Sequence, residues 1–190
     1  MRLILASTSP RRKEILSKTG LGFDVVVNNY EEDMTLDMPP KELAAYLSLG
    51  KAKSVANQYP DALVIGADTI VAFKDKILGK PKSVEEAKEM LTMLSGEVNS
   101  VITGFTMIHQ SSNRIITDAI ESFVTFRKMS EEEIDNYIAT GEPMDKAGAY
   151  AIQEKGAIFV EKIEGDFFTI IGLPLYRIAE ELKQFGITIL

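Results

Sequence analysis

The run Ala62-Leu63-Val64-Ile65-Gly66-Ala67 narrows the folds open to this chain more than any other feature. A run with no polar face predicts a strand covered on both sides, as in a sheet with helices packed against it. Leu3-Ile4-Leu5-Ala6 reads the same way at shorter length. Helix and strand signals alternate around these runs. Ser9-Pro10 caps a helix to about Lys18 that stops at Gly20, and residues 23–27 read as a strand. A polar acidic loop over 28–37 leads through Pro39-Pro40 into a helix ending near Tyr59-Pro60. Residues 69–73 and 77–78 flank Lys74-Asp75-Lys76 as a hairpin. Ser83 opens a helix with Glu85 and Glu86 in its first turn, closing at Gly96. Two long strands, 101–109 and 115–126, join through a turn at 110–113. Ser130 caps a further helix with Glu133 at the capping-box position. A loop near Gly148, a strand at 157–163, a helix from Pro174 to about Phe185 and a last strand at 187–190 complete the pass. The pattern predicts an α/β fold, a mixed sheet with helices packed on it. With no linker, repeat or low-complexity segment, the expectation is one domain over 1–190, with room for two lobes.

The residue inventory limits the chemistry. There is no Cys and a single His, His109, so thiol nucleophiles, disulfides, Cys-built metal sites and multi-His metal sites within one chain are excluded. A Ser-His-Asp triad would rest on His109 alone, and that residue closes a strand beside a turn, where a surface position is expected. Carboxylates, lysines, hydroxyls, backbone amides and borrowed metal ions remain, a set suited to hard-cation chemistry on oxyanions. With 21 Lys+Arg against 28 Asp+Glu the formal net charge is −7, a poor footing for sequence-independent nucleic-acid binding. No apolar run approaches the roughly 20 residues that span a bilayer, and the first apolar stretch is too short for a signal peptide. The expectation is a cytoplasmic protein without membrane or nucleic-acid partners.

Several polar residues stand where core residues belong. Asp68 ends the apolar run and is followed by more apolar strand. A carboxylate there either caps a turn or is paired or metal-bound, because burying it alone is costly. Lys51 falls inside the apolar arc formed by Leu43, Ala44, Leu47 and Val55, whereas Lys53 projects to the opposite side. Lys51 therefore either snorkels or holds an ammonium in a cleft. In Ser7-Thr8-Ser9-Pro10-Arg11-Arg12-Lys13, three hydroxyls and three cations meet at a helix start. The helix dipole disfavours cations in a first turn, and a bound anion would remove that conflict. Glu31-Glu32-Asp33 is a solvated run or, through one carboxylate together with Asp68, a Mg²⁺ site. Lys80 adds a cation after the turn glycine Gly79. Neither the GxxxxGK[ST] nor the GxGxxG fingerprint is present.

Taken together these residues resemble the Maf family of nucleoside triphosphate pyrophosphatases. The match lies in Leu5-Ala6-Ser7-x-Ser9-Pro10-Arg11-Arg12, Glu31-Glu32, Lys51-Ala52, Gly66-Ala67-Asp68-Thr69, Gly79-Lys80-Pro81, Leu94-Ser95-Gly96, Asp145-Lys146-Ala147-Gly148-Ala149-Tyr150-x-Ile152-Gln153 and Gly172-Leu173-Pro174. The resemblance implies an elongated mixed sheet of the inosine triphosphate pyrophosphatase-like fold, two lobes around a cleft, and a homodimer. It implies cleavage of a nucleoside triphosphate between the α and β phosphates, releasing a monophosphate and pyrophosphate with a divalent cation, Mg²⁺ or Mn²⁺. Asp68 matches the proton acceptor and Glu32 a metal-associated carboxylate. Ser7, Arg12, Lys51 and Lys80 match phosphate-contacting positions; Lys146 falls in the substrate-binding segment. Arg11, Thr69 and Gln153 match positions that separate specificity branches. The Asp145–Gln153 segment is similar to the branch acting on dTTP and UTP. One departure stands out: the family's Tyr-Gly-Ile-Gln-Gly is Tyr150-Ala151-Ile152-Gln153-Glu154 here, two glycines fewer and one negative charge more. That departure admits a modified nucleotide as substrate. Since the family name derives from a septation phenotype, a nucleotide-binding regulator of cell division is the reading from another class, set against a house-cleaning enzyme.

Overall fold

The apolar run at 62–67 forms the expected buried strand, and the strand continues through Asp68. A computed structural model describes residues 1–33 and 36–189. In it β3 spans Ala62–Phe73 without interruption, so the separate strand expected at 69–73 is the second half of one element. Asp68 does not end the strand because its carboxylate is paired where it stands, and the backbone has no need to turn. β1 (Arg2–Leu5) pairs in parallel with β3, Arg2 opposite Ala62, and with the two-residue β2 (Asp24–Val25). β4 (Lys76–Leu78) folds back antiparallel on β3, as the hairpin reading required. β5 (Val98–His109), β6 (Arg114–Phe126) and β7 (Val160–Glu164) complete a seven-stranded mixed sheet in the order β2-β1-β3-β5-β6-β7, with β4 on β3.

The helices follow the capping signals. In α1 (Pro10–Ser17) the Ser9 hydroxyl accepts from Arg12 N. α2 (Pro40–Ala56) starts on the double proline, and α3 (Val84–Leu94) is capped by Ser83. In α4 (Glu131–Ala139) Ser130 and Glu133 close a full capping box. α5 (Phe167–Ile171) and α6 (Leu175–Leu182) follow. Two further expectations need correction, and one short helix was not anticipated. The strand at 157–163 is a tight helical turn over Lys155–Phe159 followed by β7, because the Glu142 carboxylate accepts the Lys155 and Gly156 amides and curls the backbone there. α5 is too short for its periodicity to be read. Residues 187–189 form no strand, and Leu190 lies outside the described residues, as do positions 34 and 35 of the acidic loop.

The chain divides into two compact units. The first holds residues 1–69, 103–120 and 172–190; the second holds 70–102 and 121–171. The first unit's core packs β1 and β3 against α2 through Ile4, Val64, Ala52 and Val55, all fully buried. The second unit's core gathers α3, α4 and the strand segments around Phe126 and Phe159; Tyr150 meets Phe126 edge-on at 4.7 Å.

Candidate active site

In the first unit, two glycines decide how α2 meets the sheet. A Cβ on Gly66 would lie 2.7 Å from Ala52 N and 2.8 Å from Ser48 O, and one on Gly104 would lie 2.1 Å from Ala44 O. The helix backbone therefore rests directly on β3 and β5 where side chains would hold it off. Gly66 and Asp68 face the same side of β3, and Lys51 precedes Ala52, so this close approach brings the Lys51 ammonium onto the carboxylate. Lys51 Nζ donates to Asp68 Oδ1 and lies 2.7 Å from Glu32 Oε1. Lys51 and Asp68 are buried, whereas Glu32 is exposed and reaches in from the loop after β2. The apolar arc on α2 thus places an ammonium inside the protein, as one of its two readings held, and Lys53 points to solvent.

The loop carrying Glu32 is anchored at two residues that precede it. Asn28 Nδ2 donates to Ala6 O at 3.0 Å. The Tyr30 ring lies flat against Gly50, where a Cβ would come within 2.3 Å of it. Burial and a hydrogen bond to Tyr46 push the Tyr30 phenol above its ordinary value. Sequence reasoning missed both anchors; an aromatic inside an otherwise polar acidic loop was the available signal.

Arg12 organises the second half of this site. Its Nε donates to Gly172 O at 2.9 Å, its Nη2 to Thr69 Oγ1 at 3.2 Å and its Nη1 to Ser7 Oγ at 3.5 Å. Those three partners are neutral. Burial pulls the guanidinium below its ordinary value; Asp68 and Glu32 oppose that, and Arg11 adds to it. A half-buried fork with neutral partners and a second guanidinium nearby is suited to a polyanion. Thr69 in turn meets Thr103, fully buried, hydroxyl to hydroxyl at 2.9 Å. Gly172, at φ +121°, keeps the space that Arg12 and Thr69 fill. Thr103 carried no sequence signal, since a threonine in a strand is ordinary.

The structure therefore brings Ser7, Arg12, Glu32, Lys51, Asp68 and Thr69 together within the first unit, with Arg11 felt electrostatically at Arg12. Lys80, Lys146 and Gln153 belong to the second unit. There Lys80 is exposed beside Gly79, whose carbonyl accepts from Gly148 N at 3.0 Å. Lys146 is buried, donates to Asp145 and stands 3.7 Å from Glu154 Oε1, so the charge that departs from the family pattern faces an expected substrate contact. Gln153 is exposed. His109 sits at the strand end, its Nδ1 2.8 Å from Ser112 Oγ, remote in role from this chemistry.

For a divalent cation, the donor chemistry of Glu32 and Asp68 fits: both are hard oxygen ligands, and each presents two oxygens. Among the described residues no group of three or more His, Asp or Glu clusters as a metal cage. That is the arrangement Mg²⁺ tolerates, since it takes one or two carboxylates and completes its shell with water and substrate phosphates.

The family described as "Maf-like protein" matches residues 2–185. A Bacillus cytotoxicus protein named dTTP/UTP pyrophosphatase is 49% identical over 184 residues, 97% of this chain and 95% of that one. A Bacillus cereus protein of the same name is 47% identical over 188 residues, 99% of this chain and 97% of that one. Among solved structures, the Staphylococcus aureus Ham1 protein gives a TM-score of 0.46 at 13% identity, covering 69% of this chain and 73% of that one.

Proposed function

The chain belongs to the Maf family, and from that premise we propose that it hydrolyses dTTP and UTP to the monophosphate and pyrophosphate. The observation that carries the reading is the buried Asp68 carboxylate held on Lys51 beside Glu32, with the Arg12 fork in the same unit. Water attacks the α-phosphorus, the bond to the bridging oxygen of the β-phosphate breaks, and pyrophosphate leaves. Asp68 orients that water and takes its proton. Arg12, with Ser7 and Arg11 at the start of α1, receives the phosphates, and Lys51 and Lys80 offset charge that develops as the bond breaks. A Mg²⁺ or Mn²⁺ ion, when bound at Glu32 and Asp68, supplies Lewis-acid polarisation of the phosphate. Thr69, Lys146 and Gln153 contact the substrate, and Arg11, Thr69 and Gln153 set base preference. Residues 1–190 act as one domain in a cytoplasmic homodimer with a house-cleaning role.

The decisive experiment is Asp68→Asn, assayed by pyrophosphate release from dTTP with and without EDTA. Loss of a positioned general base predicts a fall of about 10²-fold or more, with the fold retained by circular dichroism. Undiminished turnover would overturn the assignment. The Glu154–Lys146 approach favours one variant reading, a modified base, which the same assay addresses across a set of modified triphosphates.

A further inference from the structure

In the second unit, the backbone around Gln153 is held from below by a single pair of side chains. Tyr137, buried on α4, donates its hydroxyl to Glu142 Oε1 at 2.8 Å, and the same hydroxyl accepts from Ala151 N at 3.3 Å. The Glu142 carboxylate then accepts from Lys155 N at 3.0 Å through Oε2 and from Gly156 N at 3.1 Å through Oε1. Ala151 and Gly156 are buried, while Gln153, Glu154 and Lys155 between them are exposed. The two ends of the segment also approach each other. A Cβ on Gly156 would lie 2.7 Å from Ala151 O and 2.6 Å from the Tyr137 hydroxyl. Residues 151–156 thus form a narrow loop with its feet fixed and Gln153 at its crest.

We propose that Tyr137 and Glu142 are positioning residues for base selection, clamping the feet of the 151–156 loop so that Gln153 is presented in one place. The inference rests on the proposed pyrophosphatase activity and on Gln153 as a specificity residue. Chemistry supports the clamp as a durable one. Burial, then the neighbouring Glu142, push the Tyr137 phenol up, so it remains a donor at physiological pH. A carboxylate accepting three donors gives charge-assisted bonds, stronger than neutral ones. The ring itself packs edge-on against Phe159 at 5.3 Å, a contact that phenylalanine would keep. The segment has lost the flexibility of glycine at 151 and 154, so a fixed loop is compatible with its composition.

The test uses the full chain with Tyr137→Phe and, independently, Gly156→Ala, which keeps both clamp residues but forces the feet apart. KM and kcat are measured for dTTP, UTP and the corresponding cytosine triphosphates, alone and in a Gln153→Ala background. Each single change is expected to raise KM for dTTP and UTP roughly tenfold, with little change in kcat and a smaller preference over cytosine. Neither should add anything once Gln153 is removed. Faster hydrogen exchange confined to the Ala151, Lys155 and Gly156 amides is the accompanying physical signature. Unchanged KM and selectivity, or equal losses on every triphosphate that add to those of Gln153→Ala, would overturn the clamp. A wild-type chain that releases no pyrophosphate defeats the function reading instead, and leaves the exchange experiment as the judge of the clamp.

Discussion

Lys51 is shared by two carboxylates, and that arrangement makes it the least replaceable side chain of the site. Breaking a buried ion pair by removing one partner costs about 3 kcal/mol or more, because the surviving charge is left without compensation. Lys51→Met should therefore lower stability by roughly that amount in urea denaturation, even though methionine suits the surrounding apolar stripe. Adding Asp68→Asn should restore part of the loss; a double variant no more stable than Lys51→Met alone would show that the pair is not the source. Lys51, Asp68 and Arg12 were legible in the sequence for one reason. Each violates a rule that ordinary packing obeys: an ammonium in an apolar arc, a carboxylate in an apolar run, a cation in a helix's first turn. Thr103, Asn28 and Tyr30 violate no rule, and their importance comes from partners 22 to 34 residues away or across a loop. Nothing local marks Thr103 or Asn28, and Tyr30 is marked only as an aromatic in a polar loop.

At the level of elements, the serine caps were read correctly, and so were the lengths of α1, α3 and β6, while β3 and the segment at 155–163 were not. The Ser130–Glu133 box was visible because both partners lie within one turn. Its further partner was not: Arg127 forms a bidentate pair with Glu133, Nη2 to Oε1 at 2.8 Å and Nη1 to Oε2 at 3.1 Å. That pair, then the Ser130 amide, hold the Glu133 carboxyl at about 2, down from 4.5. A depressed carboxyl contributes stability that is complete above the unfolded value near 4.5 and disappears as pH falls through about 2. Wild type and Glu133→Gln should differ in urea midpoint by a constant margin from neutral pH to about 5.5, and converge as pH falls from there toward 2. A margin that persists at pH 2 would assign it to packing. β3 ran longer than expected because the sequence shows a charge at position 68 but not the lysine that neutralises it. The curled segment at Lys155–Phe159 was misread for the same reason, its amides being claimed by a glutamate thirteen residues back.

For the whole molecule, the net charge of −7 and the absent Cys pointed to chemistry by carboxylates and cations, and the candidate site gathers those types together with hydroxyls. What composition could not show is how the chain is threaded. It passes between its two units four times, at 69/70, 102/103, 120/121 and 171/172, and three of those passages lie inside β3, β5 and β6. Arg12 donates to Thr69 and to Gly172, and Thr69 meets Thr103, so one guanidinium fastens three of the four passages from within the first unit. A guanidinium has five donors, enough to take an anion without releasing these contacts. A non-hydrolysable dTTP analogue should therefore slow amide exchange around Thr69, Thr103 and Gly172 in the wild type. Arg12→Lys, with one compact ammonium in place of a fork, should lose that effect even at ligand excess; equal slowing in both would refute the role. Mass action gives this clasp a physiological meaning. Ligand at a hundred times its dissociation constant adds about 2.7 kcal/mol to the folded state. On the proposed receipt of phosphate by Arg12, resistance to proteolysis should therefore rise with the concentration of triphosphate.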